Sequence, residues 1–305
     1  MSKKVFEVDF IGVGAPKCGT TWVATILEQH PDVVMPNKKE LNFFNERSPR
    51  GQPNKSYSYG IEYYLSHWPQ DIEDKAKVGE FSVSYLLDKK ASLRIKKHFP
   101  NAKIVICTRE PVQRAYSHYL FDIYKYSKKI TTFSQAIEKD KYLLRHSFYS
   151  EGIKTYFTLF GRQNVLVIDL GEIKENPSDV ARKVYKFVSI DVRFKPNLDP
   201  VNEARDIRSD WIAIWPIRLK YFAEEIILNS LSSMGFSKAV VNLASAKWPR
   251  RLDELLKQIL SSRNESKIEI KPLDPKNQDQ IGRLFTEERK DLERLLRKQL
   301  RYWDY

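Results

Sequence analysis

The sequence is most informative at Gly14-Ala15-Pro16-Lys17-Cys18-Gly19-Thr20-Thr21-Trp22. This stretch follows the apolar run Phe10-Ile11-Gly12-Val13 and precedes apolar residues at helical spacing, Val23, Ile26 and Leu27. A strand, a short loop with glycine and a helix start together form an anion site. The loop N–H groups converge on one point, and the helix dipole places about half a positive charge there. The sequence therefore predicts that residues 14–22 bind an anionic group.

The position of the lysine separates two classes of reaction. The spacing of Gly14 and Gly19 is similar to that of a Walker A loop, in which Lys and Ser/Thr follow the second glycine. Here Thr20 and Thr21 follow Gly19, and Lys17 lies inside the loop, beside the expected bond between two anionic groups. A transferred sulfuryl group carries less negative charge than a phosphoryl group. A lysine and backbone dipoles can therefore stabilise the leaving anion without a metal.

The composition is typical of a globular protein with an anionic partner. The chain has 305 residues, of which 42% are hydrophobic, and a formal net charge of +13. This length is enough for a full core, and we predict one domain over residues 1–305. The basic residues are scattered and no nucleic-acid motif is recognisable, so an anionic cofactor or acidic glycan is favoured over nucleic acid.

Two features of the chain predict a cytoplasmic protein without a disulfide framework. Glu7 and Asp9 interrupt what would be the apolar core of a signal peptide, and no apolar run reaches the roughly 18 residues that span a bilayer. The two cysteines, Cys18 and Cys107, each lie at or near the end of an apolar strand and suit core packing. For Cys18, a thiol with a lowered pKa in the anion loop is the alternative.

The chain alternates short apolar strands with helical stretches, which is typical of an α/β domain with a central parallel sheet flanked by helices. We predict strands at Phe6 to Val13, Val33 to Met35, Lys77 to Phe81, Lys103 to Thr108 and Val165 to Ile168. We predict helices that begin near Thr21, Ile61, Leu86, Val112, Phe133, Ser150 and Ser178. Ser178 suits the N-cap of its helix. Binding sites in such sheets lie beyond the carboxyl ends of the strands.

The C-terminal third is predicted to be helical. One helical segment, at about residues 205–260, carries a dense apolar face between Trp211 and Ile227. This face either packs on the sheet or forms a surface for the acceptor or for peripheral contact with a membrane. A last helix is predicted from about Gln278 to Tyr302.

A second candidate anion site follows the strand Ile104-Val105-Ile106-Cys107-Thr108. Arg109 comes at the carboxyl end of this strand, Pro111 opens a helix, and Ser117 follows about two turns later. Arg109 can bind a phosphate in a bidentate fork and Ser117 can donate a further hydrogen bond. A capped strand-to-helix boundary is the plainer interpretation. Beside the first loop, however, the pair indicates a ligand with anionic groups at two ends.

These motifs together resemble those of PAPS-dependent sulfotransferases, whose donor is 3′-phosphoadenosine 5′-phosphosulfate. Residues 16–22 match the 5′-phosphosulfate loop of that family, PK-x-GTT-W, and residues 109–117 match its 3′-phosphate motif, R-x-P-x-x-R-A-x-S. His30-Pro31 and Lys39-Glu40-Leu41-Asn42-Phe43-Phe44 are similar to the carbohydrate (heparan-sulfate-like) branch and its bacterial relatives. Further matches at residues 152–168 and 272–303 extend the resemblance over nearly the whole chain. It implies a P-loop nucleotide-kinase-like fold, PAPS as donor, PAP as product, and no required metal.

The resemblance also implies roles for single residues. Lys17 would contact the sulfate and the leaving phosphate, and Arg109 and Ser117 would bind the 3′-phosphate. The rest of the loop would bind the 5′ side of the donor, and its residues are Cys18, Gly19, Thr20, Thr21 and Trp22. Glu40 falls where this branch places its catalytic carboxylate, which accepts a proton from the attacking acceptor. The plainer interpretation of Glu40 is a solvated acid in the charge run Lys38-Lys39-Glu40.

One departure from the branch concerns the sulfate site. The branch often has a second lysine where this chain has Phe81, and Lys38 or Lys39 are the candidate substitutes. The cytosolic small-molecule branch instead uses a histidine base, but His118 directly follows Ser117 and is expected to turn away or pack. Adenine stacking by Trp22 or by Tyr149 stays open.

The predicted function is sulfuryl transfer from PAPS to a hydroxyl or amine of an acceptor, in first place a carbohydrate or glycolipid. Sulfation of a small-molecule or lipid hydroxyl is the alternative. Two other classes stay open, a P-loop kinase or phosphotransferase and a basic anion- or nucleic-acid-binding scaffold.

Overall fold

A computed structural model describes residues 6–47, 52–69, 71–73, 76–126, 132–140, 142–200 and 275–303. The chain divides into two compact units. The first comprises residues 1–118, 134–202 and 275–305, and the second comprises residues 119–133 and 203–274. The helical segment predicted at 205–260 lies outside the described residues. In the part of the chain that is described, no helix is both long and apolar enough to cross a bilayer.

The first unit is built on one parallel sheet. Its described strands are β1 (Phe10–Gly14), β2 (Val33–Val34), β3 (Lys77–Phe81), β4 (Lys103–Thr108) and β5 (Val165–Asp169). They lie in the order β2-β3-β1-β4-β5, and every pair is parallel. The chain leaves the central β1 for β2 and β3 on one side and then crosses to β4 and β5 on the other. In open α/β sheets, ligands bind beyond the carboxyl end of the strand at which the order changes sides, which here is β1.

Helices connect these strands. Those of the first part of the chain are α1 (Thr20–Glu28), α2 (Ile61–Leu65), α3 (Lys89–His98), α4 (Pro111–Tyr126), α5 (Phe133–Lys139), α6 (Tyr142–Arg145), α7 (Ser150–Phe160), α8 (Leu170–Glu175) and α9 (Pro177–Val188). Those near the C-terminus are α10 (Pro275–Gly282) and α11 (Thr286–Leu296). The residues of β1 are all buried, as expected for a central strand covered on both faces. The predicted α/β fold with a central parallel sheet is confirmed.

Helix α3 begins at Lys89 rather than near Leu86, because the Asp88 side chain caps it by accepting from Lys90 N and Ala91 N.

Two further element boundaries also differ from the prediction because polar side chains cap the backbone there. The first strand begins at Phe10 rather than Phe6. The carboxylate of Asp9 instead accepts hydrogen bonds from Lys77 Nζ at 2.7 Å and from Val78 N at 2.9 Å. Helix α9 is capped by Asn176 rather than Ser178, because the Asn176 side chain accepts from Asp179 N and Pro177 occupies the first turn.

The C-terminal helix predicted from Gln278 to Tyr302 is interrupted. A 3₁₀ turn at Arg283–Phe285 separates α10 from α11, and α11 ends at Leu296 with Arg297 in the left-handed conformation. The following segment returns to the sheet, where the buried Trp303 donates from Nε1 to Asp169 Oδ2 at 2.9 Å. Residues near the C-terminus therefore belong to the core of the first unit.

Candidate active site

The loop between β1 and α1 has the geometry of an anion cradle. Ala15 N donates to Cys107 O at 2.8 Å, which fixes the loop to β4. Lys17 and Gly19 have φ angles of 67° and 87°, so the backbone turns sharply twice. Gly19 is the N-cap of α1 and has no side chain to accept from the first-turn N–H groups. These donors therefore remain available to an anion at the start of α1.

The glycine at position 19 is required by space as well as by conformation. A Cβ atom there would come within 2.9 Å of Leu170 Cδ1 and 3.1 Å of Ile173 Cδ1. Because α8 packs this closely against the loop, only glycine combines the left-handed φ with this approach.

The second predicted motif lies directly beside the first. Arg109 Nη1 donates to Lys17 O at 3.3 Å, so the end of β4 contacts the anion loop. The start of α4 is already capped, since the Glu110 carboxylate accepts from Val112 N at 2.7 Å and from Gln113 N at 2.6 Å. An anion at this edge would therefore be bound by side chains rather than by the helix N-terminus. Ser117 lies half-buried two turns into α4.

Buried residues beside the anion loop hold Arg109 in place. Tyr149 OH donates to Arg109 O at 2.9 Å and lies 3.7 Å from Cys18 Sγ. Burial raises the pKa of the Cys18 thiol to about 12, against the smaller opposing effect of Arg114. The alternative of a thiol with a lowered pKa is therefore wrong. The Cys18 side chain is part of the core, and only its backbone can face a ligand.

The two candidates for adenine stacking are both buried. Trp22 is 5% exposed and donates from Nε1 to Leu198 O at 3.3 Å. Tyr149 is fully buried under Arg109 and packs near Trp303, with ring centroids 5.7 Å apart. Neither ring presents an open face, which argues against both.

Residues 38–45, here called the Glu40 loop, reach the start of α1. Lys39 Nζ donates to Thr21 Oγ1 at 2.7 Å. Partial burial lowers the pKa of Lys39, and the neighbouring Glu40 charge opposes this effect. The structure therefore brings Lys39, and with it Glu40, to the loop that carries Lys17. Lys39 is thus the lysine of the pair 38–39 that makes this contact.

The Glu40 loop has a strained but well-supported backbone. Glu40 and Asn42 have φ angles of 56° and 50°, a region that non-glycine residues seldom adopt. Asn42 Nδ2 donates to Glu40 O at 2.9 Å, and Ser84 Oγ donates to Asn42 Oδ1 at 2.6 Å. Asn54 Nδ2 also donates to Asn42 O at 2.6 Å. These hydrogen bonds hold a half-buried Glu40 in one backbone conformation.

A residue that the sequence analysis did not single out lies next to this loop. Glu80, in β3, is fully buried and accepts hydrogen bonds from three hydroxyl groups. Burial raises its pKa to about 7, these hydrogen bonds oppose the rise, and the charge of Glu40 adds to it. The available signal was a glutamate within the otherwise apolar run of Val78 to Phe81.

Phe81 occupies the place of the second lysine for a packing reason. Its ring lies so close to Gly12 that a Cβ there would come within 1.9 Å of Phe81 Cδ1. It also packs against Phe10, with ring centroids 6.5 Å apart. Phe81 is therefore a core residue that seals β3 against β1.

Four histidines, His118 among them, could be alternative bases, and all four contact other protein groups. His118 Nδ1 lies 3.2 Å from Nη1 of the buried Arg114, and burial lowers the pKa of His146 to about 3. His67 Nδ1 lies 2.9 Å from Tyr63 O, and His98 Nε2 lies 3.0 Å from Tyr57 OH. These contacts are structural, as expected for His118 from its place in the sequence.

The fold defines a class of protein, a P-loop-like α/β protein, and the loop after its first strand is its candidate anion site. A family model described as a sulfotransferase domain matches residues 7–212. The chain therefore belongs to the sulfotransferase domain family, as the sequence motifs indicated. This family uses PAPS as its donor.

Two curated relatives and one solved structure are similar to this chain. The membrane-associated sulfotransferase kil1 of Dictyostelium discoideum is 32% identical over 117 residues, which cover 38% of this chain and 23% of that protein. The mouse bifunctional heparan sulfate N-deacetylase/N-sulfotransferase 4 is 27% identical over 200 residues, covering 59% of this chain and 22% of that protein. The chain thus spans less than a quarter of either relative. A sulfotransferase from Alicyclobacillus acidocaldarius has a TM-score of 0.57 and 26% identity, covering 78% of this chain and all of that one.

Proposed function

We propose that this chain transfers a sulfuryl group from PAPS to a hydroxyl or amine of a carbohydrate or glycolipid and releases PAP. The observation that carries the proposal is the hydrogen bond from Lys39 Nζ to Thr21 Oγ1. Through this contact the loop that bears Glu40 meets the start of α1, which supports a shared site for a proton acceptor and an anion cradle.

The described residues fit a donor with anionic groups at both ends. The N–H groups at the start of α1 have no side-chain acceptor from their N-cap, which suits the 5′-phosphosulfate. Arg109, held by its contact with Lys17 O, suits the 3′-phosphate together with Ser117. We assign Gly19, Thr20 and Thr21, with the backbone of Cys18 and Trp22, to the 5′ side.

The proposed reaction is a direct displacement at sulfur. The acceptor oxygen or nitrogen forms a bond to sulfur, the bond from sulfur to the bridging oxygen breaks, and that electron pair leaves on the 5′-phosphate of PAP. Glu40 accepts the proton of the acceptor, a contribution worth roughly 10²–10⁴-fold in rate. Lys17 stabilises the charge that develops on the leaving phosphate. Lys39 supplies the second cation, in place of the lysine that the branch often has at the position of Phe81.

A carbohydrate acceptor is favoured by the relatives and by charge. One relative is named as a heparan sulfate N-sulfotransferase, and another, from mouse, as heparan sulfate glucosamine 3-O-sulfotransferase 5. A net charge of +13 favours association with an acidic saccharide. Sulfation of a small-molecule or lipid hydroxyl is the second candidate. A cytoplasmic location and peripheral contact with a membrane stay predictions.

The proposal is tested by incubating the protein with radiolabelled PAPS and a panel of glycans, glycolipids and phenols. We expect label on a glycan or glycolipid and stoichiometric release of PAP. Glu40→Gln should bind PAP normally but lower kcat at least ~100-fold. Glu46→Gln, which alters an exposed carboxylate paired with Lys90, is the matched control and should keep the wild-type rate. A wild-type kcat in Glu40→Gln would remove Glu40 from the mechanism.

The same preparation separates the rival functions. A kinase would turn over ATP and lose that activity with EDTA, whereas we expect PAPS turnover to survive EDTA. A non-catalytic polyanion binder would show a steep dependence on salt and no thermal shift with 3′,5′-ADP.

A further inference from the structure

The buried carboxylate of Glu80 is tied to a network of hydroxyl groups. Its Oε1 accepts from Tyr64 OH at 3.1 Å and from Tyr85 OH at 3.0 Å, and its Oε2 accepts from Ser82 Oγ at 2.7 Å. A carboxylate that accepts three hydroxyl protons is best satisfied in its ionised form, because a protonated carboxyl group would itself need an acceptor. In the described part of the chain its hydrogen-bond partners are hydroxyls rather than a lysine or arginine.

The network continues from Glu80 into the Glu40 loop. Ser82 Oγ, which donates its proton to Glu80, accepts a hydrogen bond from Asn42 N at 3.0 Å. Asn42 in turn donates from Nδ2 to the carbonyl oxygen of Glu40 at 2.9 Å. Three hydrogen bonds therefore connect the Glu80 carboxylate to the backbone of Glu40, and the second and third are joined through the covalent frame of Asn42. Hydrogen bonds to a charged acceptor are stronger than neutral ones, and the bond from Ser82 to Glu80 polarises the bond that Ser82 accepts from Asn42 N.

This series of hydrogen bonds supports the two residues of the Glu40 loop whose backbone is strained. Glu40 and Asn42 hold left-handed φ angles of 56° and 50°, and Asn42 is the residue that Ser82 contacts. Strained conformations of this kind persist only where the surroundings fix them, and they concentrate at functional sites. An apolar residue at this position of β3 would avoid a buried charge but would remove the acceptor of three buried hydroxyl groups. Packing alone therefore does not explain the glutamate.

We propose that Glu80 is a positioning residue for Glu40: its carboxylate orients Ser82, and Ser82 holds Asn42 and the Glu40 backbone in the conformation that presents the base. This inference rests on the proposed role of Glu40. Glu80 itself is fully buried and does not contact the substrate. A displacement of about 1 Å in a catalytic group can lower a rate by up to about 100-fold, so loss of Glu80 affects kcat.

Glu80, here called the anchor of the Glu40 loop, changes its charge near neutral pH. Burial raises the pKa of Glu80 to about 7, and the charged group that faces it is Glu40, whose negative charge adds to the rise. The other titratable groups around it are the phenols of Tyr64, Tyr85 and Tyr156, whose pKa values burial raises well above 10. The phenols therefore stay neutral near pH 7 while Glu80 gains a proton as the pH falls. The protonated form no longer accepts all three hydroxyl protons, and its grip on Ser82 weakens.

Hydrogen exchange tests the anchor without any need for activity. In the wild-type protein, the protection of the Asn42 amide, corrected for the intrinsic exchange rate, should fall as the pH drops through about 7. In Glu80→Gln, protection should be lower than wild type by about 10-fold at pH 8 and should not change across this range. Equal and pH-independent protection in the two proteins would overturn the proposal. The wild-type series alone decides the question if Glu80→Gln does not fold.

Kinetics then link the anchor to catalysis. In the wild-type protein, kcat should fall as the pH drops through about 7. Glu80→Gln should lower kcat on the order of 10-fold with little change in KM for PAPS, and it should remove this dependence of kcat on pH. The matched control is Glu288→Gln, which removes another buried carboxylate, one that caps α7 by accepting from Tyr149 N and Ser150 N at 2.7 Å. This control should keep the wild-type pH profile. A lowered kcat with an unchanged pH profile in Glu80→Gln would mean a purely structural role.

The two experiments separate the failure of this inference from the failure of the proposed function. If protection of the Asn42 amide changes with the ionisation of Glu80 but PAPS is not turned over, the positioning role of Glu80 is supported and the proposed sulfotransferase function is rejected. If PAPS is turned over but protection and pH profile are those of wild type in Glu80→Gln, the anchor falls alone.

Discussion

The ionisation of Glu80 should make the stability of this protein depend on pH in a specific window. In the folded state burial raises the pKa of this carboxyl group from 4.5 to about 7. The folded protein therefore holds the proton more tightly than the unfolded chain between these values. Stability is favoured below about pH 4.5 and is lost as the pH rises through the window, with no further change from this group above about pH 7.

The magnitude follows from the size of the pKa change. Each pKa unit corresponds to about 1.4 kcal/mol, so a rise from 4.5 to about 7 removes about 3 kcal/mol of unfolding free energy across the window. Other groups titrate in the same range, so the informative quantity is the difference between wild type and Glu80→Gln. This difference should change by about 2–3 kcal/mol between about pH 5 and about pH 8, with the wild type losing stability relative to the variant.

Urea unfolding followed by tryptophan fluorescence at a series of pH values measures this difference. Tyr64→Phe serves as a companion variant of opposite effect, because the Tyr64 hydrogen bond lowers the pKa of Glu80. Without that hydroxyl the loss of stability with rising pH should be larger than in wild type. A wild-type minus Glu80→Gln difference that is flat across the window would refute the reasoning, because a buried carboxylate with a raised pKa cannot titrate without this signature.

The remaining predictions concern the loops of the site. Lys17→Ala should abolish PAPS turnover, measured as PAP release, because it removes the cation beside the leaving group, and a retained rate would contradict this role. Arg109→Ala should weaken the binding of 3′,5′-ADP on the order of 100-fold by calorimetry but leave 5′-AMP binding nearly unchanged. Lys39→Met should lower kcat on the order of 10-fold or more, whereas the neighbouring exposed control Lys38→Met should not, and equal effects would reject the Lys39 contact as functional. Iodoacetamide should not label Cys18 in the native protein, because burial raises its pKa to about 12; rapid labelling would contradict its burial.

The features predicted best from the sequence are those set by local chemistry. The strands Lys77–Phe81 and Lys103–Thr108 have the predicted bounds, because each is a short run bounded by residues typical of turns and helix starts. The loop of residues 14–22 was recognisable because glycine spacing and an inserted lysine determine both its shape and its charge. Family and fold followed from these motifs and are confirmed.

Boundaries were missed where a polar side chain competes for the backbone. The first strand was predicted too long, because the Asp9 side chain accepts a hydrogen bond from Val78 N just before β1 begins. The N-cap of α9 was predicted at Ser178, but Asn176 is the residue that accepts from Asp179 N. At the start of α9, two nearby residues offered a suitable oxygen, and only the folded structure selects Asn176. The 3₁₀ turn at Arg283–Phe285, which ends in the buried Phe285, was also not predicted.

The anchor at Glu80 illustrates what sequence periodicity does not reveal. Its three hydroxyl partners come from α2 and from residues that follow β3, so the network forms only once the sheet is assembled. The same holds for the contact between Lys39 and Thr21, which joins residues 18 positions apart. The roles assigned to Lys17, Glu40 and Arg109 remain predictions until a ligand is observed.

The most direct test of the central claim is a crystal structure with 3′,5′-ADP, the desulfated product. We predict its 5′-phosphate against residues 17–21 at the start of α1 and its 3′-phosphate against Arg109 and Ser117. Well-ordered nucleotide at another edge of the sheet, or with its two phosphates exchanged between these sites, would contradict the account.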